Sequence, residues 1–217
     1  MRNLICIVFI VAVSILTGCR KPDVVQPTKF YIEYFPFKLG AWIEYDVTSI
    51  IHTNLGSDTN HYILKEIYTE EFIDNSGNLA LRIERLWKPT ISDSYIIKDI
   101  WYANKSNLRA EKVEENIRFF KLMFPVVEGK KWNGNAFNNL EKWDYTYDSV
   151  HVLKQFNGLN FDSTVTVNQI DNINPFQRQI AYEIYANHVG LIRKSYINIS
   201  NNVGEELEMT VVAYGVE

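Results

Sequence analysis

The chain has 217 residues, 22 Lys and Arg against 26 Asp and Glu, and a formal charge of −4. That length supports one sizeable core or two small ones. The mild acidic balance argues against nucleic-acid binding, because the longest basic runs, Arg20-Lys21 and Lys130-Lys131, are too short to track a phosphate backbone.

The first elements in chain order form a leader. Arg2 gives a basic start, Leu4 to Leu16 are almost unbroken apolar residues, and Leu16-Thr17-Gly18-Cys19 ends on small residues and a cysteine. The apolar run fits the roughly 7–15 residues of a secretory core. It stops short of the about 20 needed to cross a bilayer as a helix. This segment resembles the signal peptide and lipobox of a bacterial lipoprotein. The resemblance implies cleavage of residues 1–18 and lipidation of Cys19 with acyl chains such as palmitate. It also implies attachment to the membrane through that N-terminal lipid. In families that sort lipoproteins by the residue after the cysteine, aspartate retains them at the inner membrane. Arg20 therefore favours the outer membrane, and Arg20-Lys21-Pro22-Asp23 lacks the acidic cluster of surface export, which favours the periplasmic face. Cys6 and Cys19 are the only cysteines, so the mature chain keeps no thiol for nucleophilic, redox or thiolate-metal chemistry.

Residues 19–29 are polar and contain Pro22 and Pro27, suiting an extended tether. A single β-rich domain is expected over 30–217. Trp42 to Val47, Leu79 to Leu86, Asp162 to Val167 and Glu206 to Val211 alternate polar and apolar residues, the period of half-buried strands. Between such runs lie Asp74-Asn75-Ser76-Gly77-Asn78, Asn104-Lys105-Ser106-Asn107, Asn157-Gly158 and Asn201-Asn202-Val203-Gly204. Asn and Gly tolerate positive φ, so these are hairpin turns. The expected fold is all-β and mainly antiparallel, with about 10–12 strands and at most one or two short helices. A curved sheet, a β-barrel and a two-sheet sandwich all satisfy this alternation. Ala110 to Leu122 reads either way, with Val113, Ile117 and Phe120 at helical intervals. Asn172 to Gln179 reads as a loop interrupted by Pro175.

Phe35-Pro36, Gly40 and Trp42 are echoed by Phe124-Pro125, Gly129 and Trp132. Two strand-opening units of this kind would mark two halves of one barrel or sandwich. The tryptophan spacing differs by one residue and little else matches, which reads as coincidence more than duplication.

Catalytic motifs are missing. The histidines His52, His61, His151 and His188 form no His-Glu-x-x-His pair, and no Gly-x-Ser-x-Gly elbow or phosphate-cradling glycine loop occurs. His52 and His61 flank an expected turn and offer two metal ligands with no third. Glu70-Glu71, Glu114-Glu115 and Glu205-Glu206 are adjacent on strands and point to opposite faces, the wrong geometry for a glycosidase pair; they read as solvated. Asp171-Asn172-Ile173-Asn174 lacks the glycine and distal glutamate of a calcium loop. No enzyme activity and no cofactor are expected. Trp143, Tyr145 and Tyr147 alternate and share one strand face. They are core if that face is inward, and ligand-binding if it lines a concavity.

Tyr34-Phe35-Pro36-Phe37-Lys38-Leu39-Gly40-Ala41-Trp42-Ile43-Glu44-Tyr45 and Tyr185-Ala186-Asn187-His188-Val189-Gly190-Leu191-Ile192 resemble segments of uncharacterised all-β lipoproteins of Gram-negative bacteria. A more distant likeness is to curved-sheet lipoprotein carriers of acyl chains, with no motif behind it. The expected function is a non-enzymatic, membrane-anchored module that binds a hydrophobic small molecule. The alternative is an assembly subunit that binds an envelope protein.

Overall fold

The computed structural model describes residues 29–217; the expected signal peptide, Cys19 and tether residues 19–28 lie outside them. Alternation becomes strand throughout. β1 (Ala41–Thr53) buries Ile43, Tyr45 and Val47 on one face. It is followed by β2 (Gly56–Ile73), β3 (Leu79–Lys88), β4 (Ile96–Lys105), β5 (Arg109–Glu114) and β6 (Ile117–Met123). The second half comprises β7 (Lys131–Asn133), β8 (Asp144–Phe156), β9 (Leu159–Asn174), β10 (Gln177–Ala186), β11 (Gly190–Ser200) and β12 (Val203–Val216). Among the described residues the helical content is one 3-10 turn, Ile32–Tyr34.

Two ambiguous segments resolve as hairpins. Residues 110–122 form β5 and β6, joined at Glu115 and Asn116 with φ of 49° and 64°. This is the left-handed pair that a tight hairpin requires. The helical spacing of Val113, Ile117 and Phe120 is an accident of two strands read through their turn. Residues 172–179 are not a loop either. β9 runs to Asn174 and β10 restarts at Gln177, so Pro175 and Phe176 are the turn itself. Proline lacks an N–H but sits where the ladder needs none, and Asn174 Oδ1 accepts from the N–H groups of Phe176 and Gln177, both at 3.0 Å.

The twelve strands form one antiparallel sheet in the order β6-β5-β4-β3-β2-β1-β12-β11-β10-β9-β8-β7. Each strand pairs with its neighbour in the chain except across β6 and β7, and β12 returns to pair with β1. The sheet therefore curls into a nearly closed up-and-down barrel, as a twisted sheet of this width tends to. The seam lies between β6 and β7. It is bridged by the Phe120 N–H to the Gly134 carbonyl at 2.8 Å, and by Trp132 Nε1 to the Phe120 carbonyl at 2.9 Å.

The sequence echo marks the start of each six-strand half. Gly40 precedes β1 with φ +74° and donates its N–H to the Tyr68 carbonyl of β2. Gly129 precedes β7 with φ +76° and donates to the Tyr147 carbonyl of β8. Both bonds are 2.8 Å. The two openings therefore share this local geometry, although the Phe124-Pro125 bond is cis and Phe35-Pro36 is not.

One end of the barrel is covered by residues 29–40. Tyr34 and Phe35 are buried in an aromatic-rich cluster with Phe124, Trp132, Tyr145, Tyr147 and Tyr185. The Tyr34 hydroxyl meets Ser163 Oγ at 2.7 Å and His151 Nδ1 at 2.8 Å, and Lys105 donates to the Phe35 carbonyl at 2.9 Å. A second cluster gathers Ile43, Tyr45, Val47, Leu64, Ile192, Met209 and Val211. Toward the other end, the interior turns polar.

Candidate binding cavity

The register of the sheet assembles this polar interior. Glu66 on β2 lies opposite Arg85 on β3, which lies opposite Asp99 on β4. On the far wall, Glu183 of β10 lies opposite Lys194 of β11. Between the walls, β5 contributes Lys112 and Glu114, and β6 contributes Lys121.

The side chains make two sets of ion pairs, one around Glu66 and Arg85 and one around Lys121 and Glu183. Glu66 accepts from Arg85 at 3.0 Å and from Lys112 at 2.6 Å. Arg85 also forks onto both oxygens of Asp99, at 2.8 and 2.9 Å. Its guanidinium lies 3.6 Å from the centroid of Trp101, with the Lys112 ammonium 4.7 Å from that centroid. Lys121 reaches across the barrel to Glu183 at 2.5 Å and approaches Glu114 at 3.3 Å. Tyr185 donates to the other oxygen of Glu183 at 2.6 Å.

Glu66, Glu114, Glu183 and Lys121 are kept ionised by their neighbours. Burial alone raises the carboxyls of Glu66, Glu114 and Glu183, yet the nearby cations outweigh it and hold all three below the usual carboxylate range. Lys112 and Arg85 do this for Glu66, and Lys121 and Lys194 for the other two. Burial would lower the Lys121 ammonium, but Glu114 and Glu183 raise it above the ordinary lysine value. Burial also pushes the Tyr185 phenol up, with Glu183 adding to the effect.

These groups surround a cavity of about 250 Å³. Its apolar lining is Trp101, Leu191, Leu207 and Met209; Tyr62, Lys98 and Glu115 complete the wall. Exposure of Lys98 and Glu115 places them at the mouth. Glu115 is fixed there by a hydrogen bond from Trp101 Nε1 at 3.1 Å. Two inner groups are less occupied. Among the described residues, neither Glu114 nor Lys194 makes a side-chain hydrogen bond; they face each other at 3.8 Å, and Lys194 stands 3.9 Å from Glu183.

The aromatic trio lies elsewhere. Tyr145 and Tyr147 are 3% and 0% exposed. The Tyr145 ring covers Gly134, where a Cβ would come within 2.4 Å of it. The Tyr147 hydroxyl accepts from the Met123 N–H at 3.0 Å and donates to the Met123 carbonyl at 2.8 Å. Trp143 is half-buried beside Tyr145, with ring centroids 6.1 Å apart. Tyr145 and Tyr147 belong to the aromatic-rich cluster and Trp143 packs against it, and none of the three lines the cavity.

His52 and His61 are not brought together. His52 bonds Ser57 at 2.8 Å and Glu206 at 2.9 Å, while His61 bonds Thr48 at 3.0 Å. Among the described residues no group of three or more His, Cys, Asp or Glu is placed to hold a metal. The Glu114-Glu115 pair does point to opposite surroundings, but Glu114 is not solvated: it sits among the interior lysines.

The sequence reading missed the interior charges. A signal was present in segments such as Ala110-Glu111-Lys112-Val113-Glu114 and Tyr182-Glu183-Ile184-Tyr185. There, charge stands at strand positions whose neighbours are buried.

No protein-family model matches the chain, and no curated protein matches it. Two solved structures are similar. One is a proposed exported protein with a YmcC-like fold from Bacteroides fragilis, 13% identical with a TM-score of 0.46; the match covers 83% of this chain and 98% of that one. The other is a proposed lipoprotein from Parabacteroides distasonis, 11% identical with a TM-score of 0.43, covering 88% of this chain and 100% of that one.

Proposed function

We propose that this chain is a lipoprotein of the bacterial outer membrane, anchored at Cys19 on the periplasmic face, and that it works as a non-enzymatic binding module. The leader and Cys19 support the anchoring. The observation that carries the binding reading is the cavity of about 250 Å³ inside the barrel. Pockets for drug-sized ligands run to roughly 300–1,000 Å³, so the occupant is small. Trp101, Leu191, Leu207 and Met209 give it an apolar contact surface, and the ligand is hydrophobic over that part. Binding is favoured over catalysis because the carboxyls of Glu66, Glu114 and Glu183 and the Lys121 ammonium are held ionised by neighbouring charges. None of these four is poised near neutral pH for proton transfer.

Two experiments test this. Cells fed labelled palmitate should label the wild-type protein and not Cys19→Ala; equal labelling removes the anchor. Native mass spectrometry of the lipoprotein extracted gently from its own envelope should show a small bound molecule, and a uniformly empty protein removes the binding reading.

A second reading has its own observation. Ile91, Ile96, Ile97 and Ile100 are exposed on β4 and the loop before it. Such apolar exposure suits an assembly subunit that docks on another envelope protein. A stable complex in mild-detergent pull-downs, lost on Ile97→Lys, would support it; a clean monomer would not.

A further inference from the structure

We infer that the cavity takes a small zwitterion carrying an apolar group, an apolar free amino acid being the chemical class. The inference rests on the cavity being a binding site, as proposed above.

The charges around the cavity balance. Arg85, Lys98, Lys112, Lys121 and Lys194 line the cavity with Glu66, Glu114, Glu115 and Glu183. Asp99, held by both oxygens on Arg85, makes the total even. A ligand of either net charge would leave one buried charge uncompensated, which is strongly unfavourable. A ligand with no net charge avoids this.

Two of these charges are less closely paired than the rest. Lys194 and Glu114 face each other across 3.8 Å without a side-chain hydrogen bond, and their other ion-pair contacts, Glu114 to Lys121 at 3.3 Å and Lys194 to Glu183 at 3.9 Å, are longer than those of Glu66 to Lys112 at 2.6 Å and Lys121 to Glu183 at 2.5 Å. Lys194 therefore has donors to offer a carboxylate, and Glu114 has acceptors to offer an ammonium. Charge-assisted bonds of this kind are about twice as strong as neutral ones. A ligand presenting both charges satisfies both groups at once, whereas an uncharged polar molecule does not.

Leu191, Leu207, Met209 and the Trp101 ring complete the lining beside this pair. They receive the apolar side chain, whose burial adds roughly 1.5–3 kcal/mol for a side chain of leucine size. A long acyl chain does not fit the volume.

The test is isothermal titration of the intact lipoprotein in detergent with a panel of apolar L-amino acids. The best binder is then compared with its N-acetyl derivative, its methyl ester and its N-acetyl amide, which are anionic, cationic and neutral. The inference expects the parent zwitterion to bind and each derivative to lose at least tenfold. Lys194→Gln and Glu114→Gln should each cost the parent at least tenfold. Glu114 partners Lys121, so thermal unfolding is recorded for every variant. Lys194, whose side chain is 22% exposed, gives the cleaner result if Glu114→Gln unfolds. Equal binding of the derivatives overturns the inference. So does an absence of amino-acid binding when native mass spectrometry finds some other small molecule in the cavity, although the binding reading then stands. An empty protein that binds no panel member overturns both.

Discussion

Lys121 on β6 and Glu183 on β10 form an ion pair of 2.5 Å across the barrel interior, with 5% and 1% of their side chains exposed. They belong to different halves of the sheet and to strands that do not pair. The contact ties the seam strand to the far wall and sets the floor of the cavity. Removing one partner of a buried pair leaves the other charge stranded, at a cost of about 3–5 kcal/mol. Lys121→Met should therefore lower unfolding stability by that order in urea titrations. Combining it with Glu183→Gln should cost at least 1 kcal/mol less than the sum of the single changes. Simple additivity would mean that the pair is not coupled.

The same network predicts acid sensitivity. Glu66, Glu114 and Glu183 are all held below the usual carboxylate range in the folded protein. Their unfolded values lie near about 4.3. A carboxyl depressed by folding contributes stability above its unfolded pKa and loses it as pH falls toward its folded value. Stability should therefore hold steady from pH 7 to 5 as far as these groups determine it, then fall steeply below about pH 4. Urea midpoints measured across pH 3–7 would read this. An unchanged midpoint at pH 3 would show that these carboxylates are not ionised by their neighbours.

The matched glycines, Gly40 and Gly129, should respond differently to the same change. Both have φ near +75°, which costs an alanine about 1–2 kcal/mol. A Cβ at Gly129 meets nothing within 4 Å, while one at Gly40 would lie 2.4 Å from the Glu217 carbonyl oxygen. Gly40→Ala should thus destabilise by more than Gly129→Ala, by at least a further 1 kcal/mol or so from the backbone displacement. Equal thermal shifts would contradict the distinction.

Tyr147→Phe separates the core from the cavity. It removes the two hydrogen bonds to Met123 and should cost about 1–3 kcal/mol of stability through the unsatisfied backbone groups. Because Tyr147 lies outside the cavity lining, any molecule bound in the wild-type protein should remain bound. Its loss at unchanged stability would return the site to the Trp143–Tyr145–Tyr147 face.

Strand content was legible because alternation is a local property. Tyr45 and Val47 alternate with Glu44 and Asp46 wherever one face is buried. The closure of the barrel was not, since pairing of β1 with β12 joins residues 152 to 175 positions apart, from His52 with Gly204 to Ala41 with Val216, and leaves no local trace. The echo of Gly40 in Gly129 came nearest to it: the shared positive φ and shared bond to a second-strand carbonyl are what the repeated glycine encodes. The cavity was illegible for a related reason. Lys121 beside Phe120 reads as an outward lysine on a half-buried strand, and only the opposite wall with Glu183 turns it into an interior cation. Aromatic alternation in Trp143, Tyr145 and Tyr147 drew attention because large rings serve cores and sites alike. Here Tyr145 and Tyr147 are buried and Trp143 packs beside them.

The measurement that tests the binding account most directly is native mass spectrometry of the envelope-extracted protein beside a Leu207→Trp variant. Leu207 is a partly buried residue of the cavity wall, so the larger ring should fill the space while leaving the ion pairs intact. The account predicts a small molecule on the wild-type protein and none on the variant, with thermal unfolding of both within a few degrees. A bound molecule that persists in the filled variant would place the site elsewhere, and an empty wild-type protein would end the binding account.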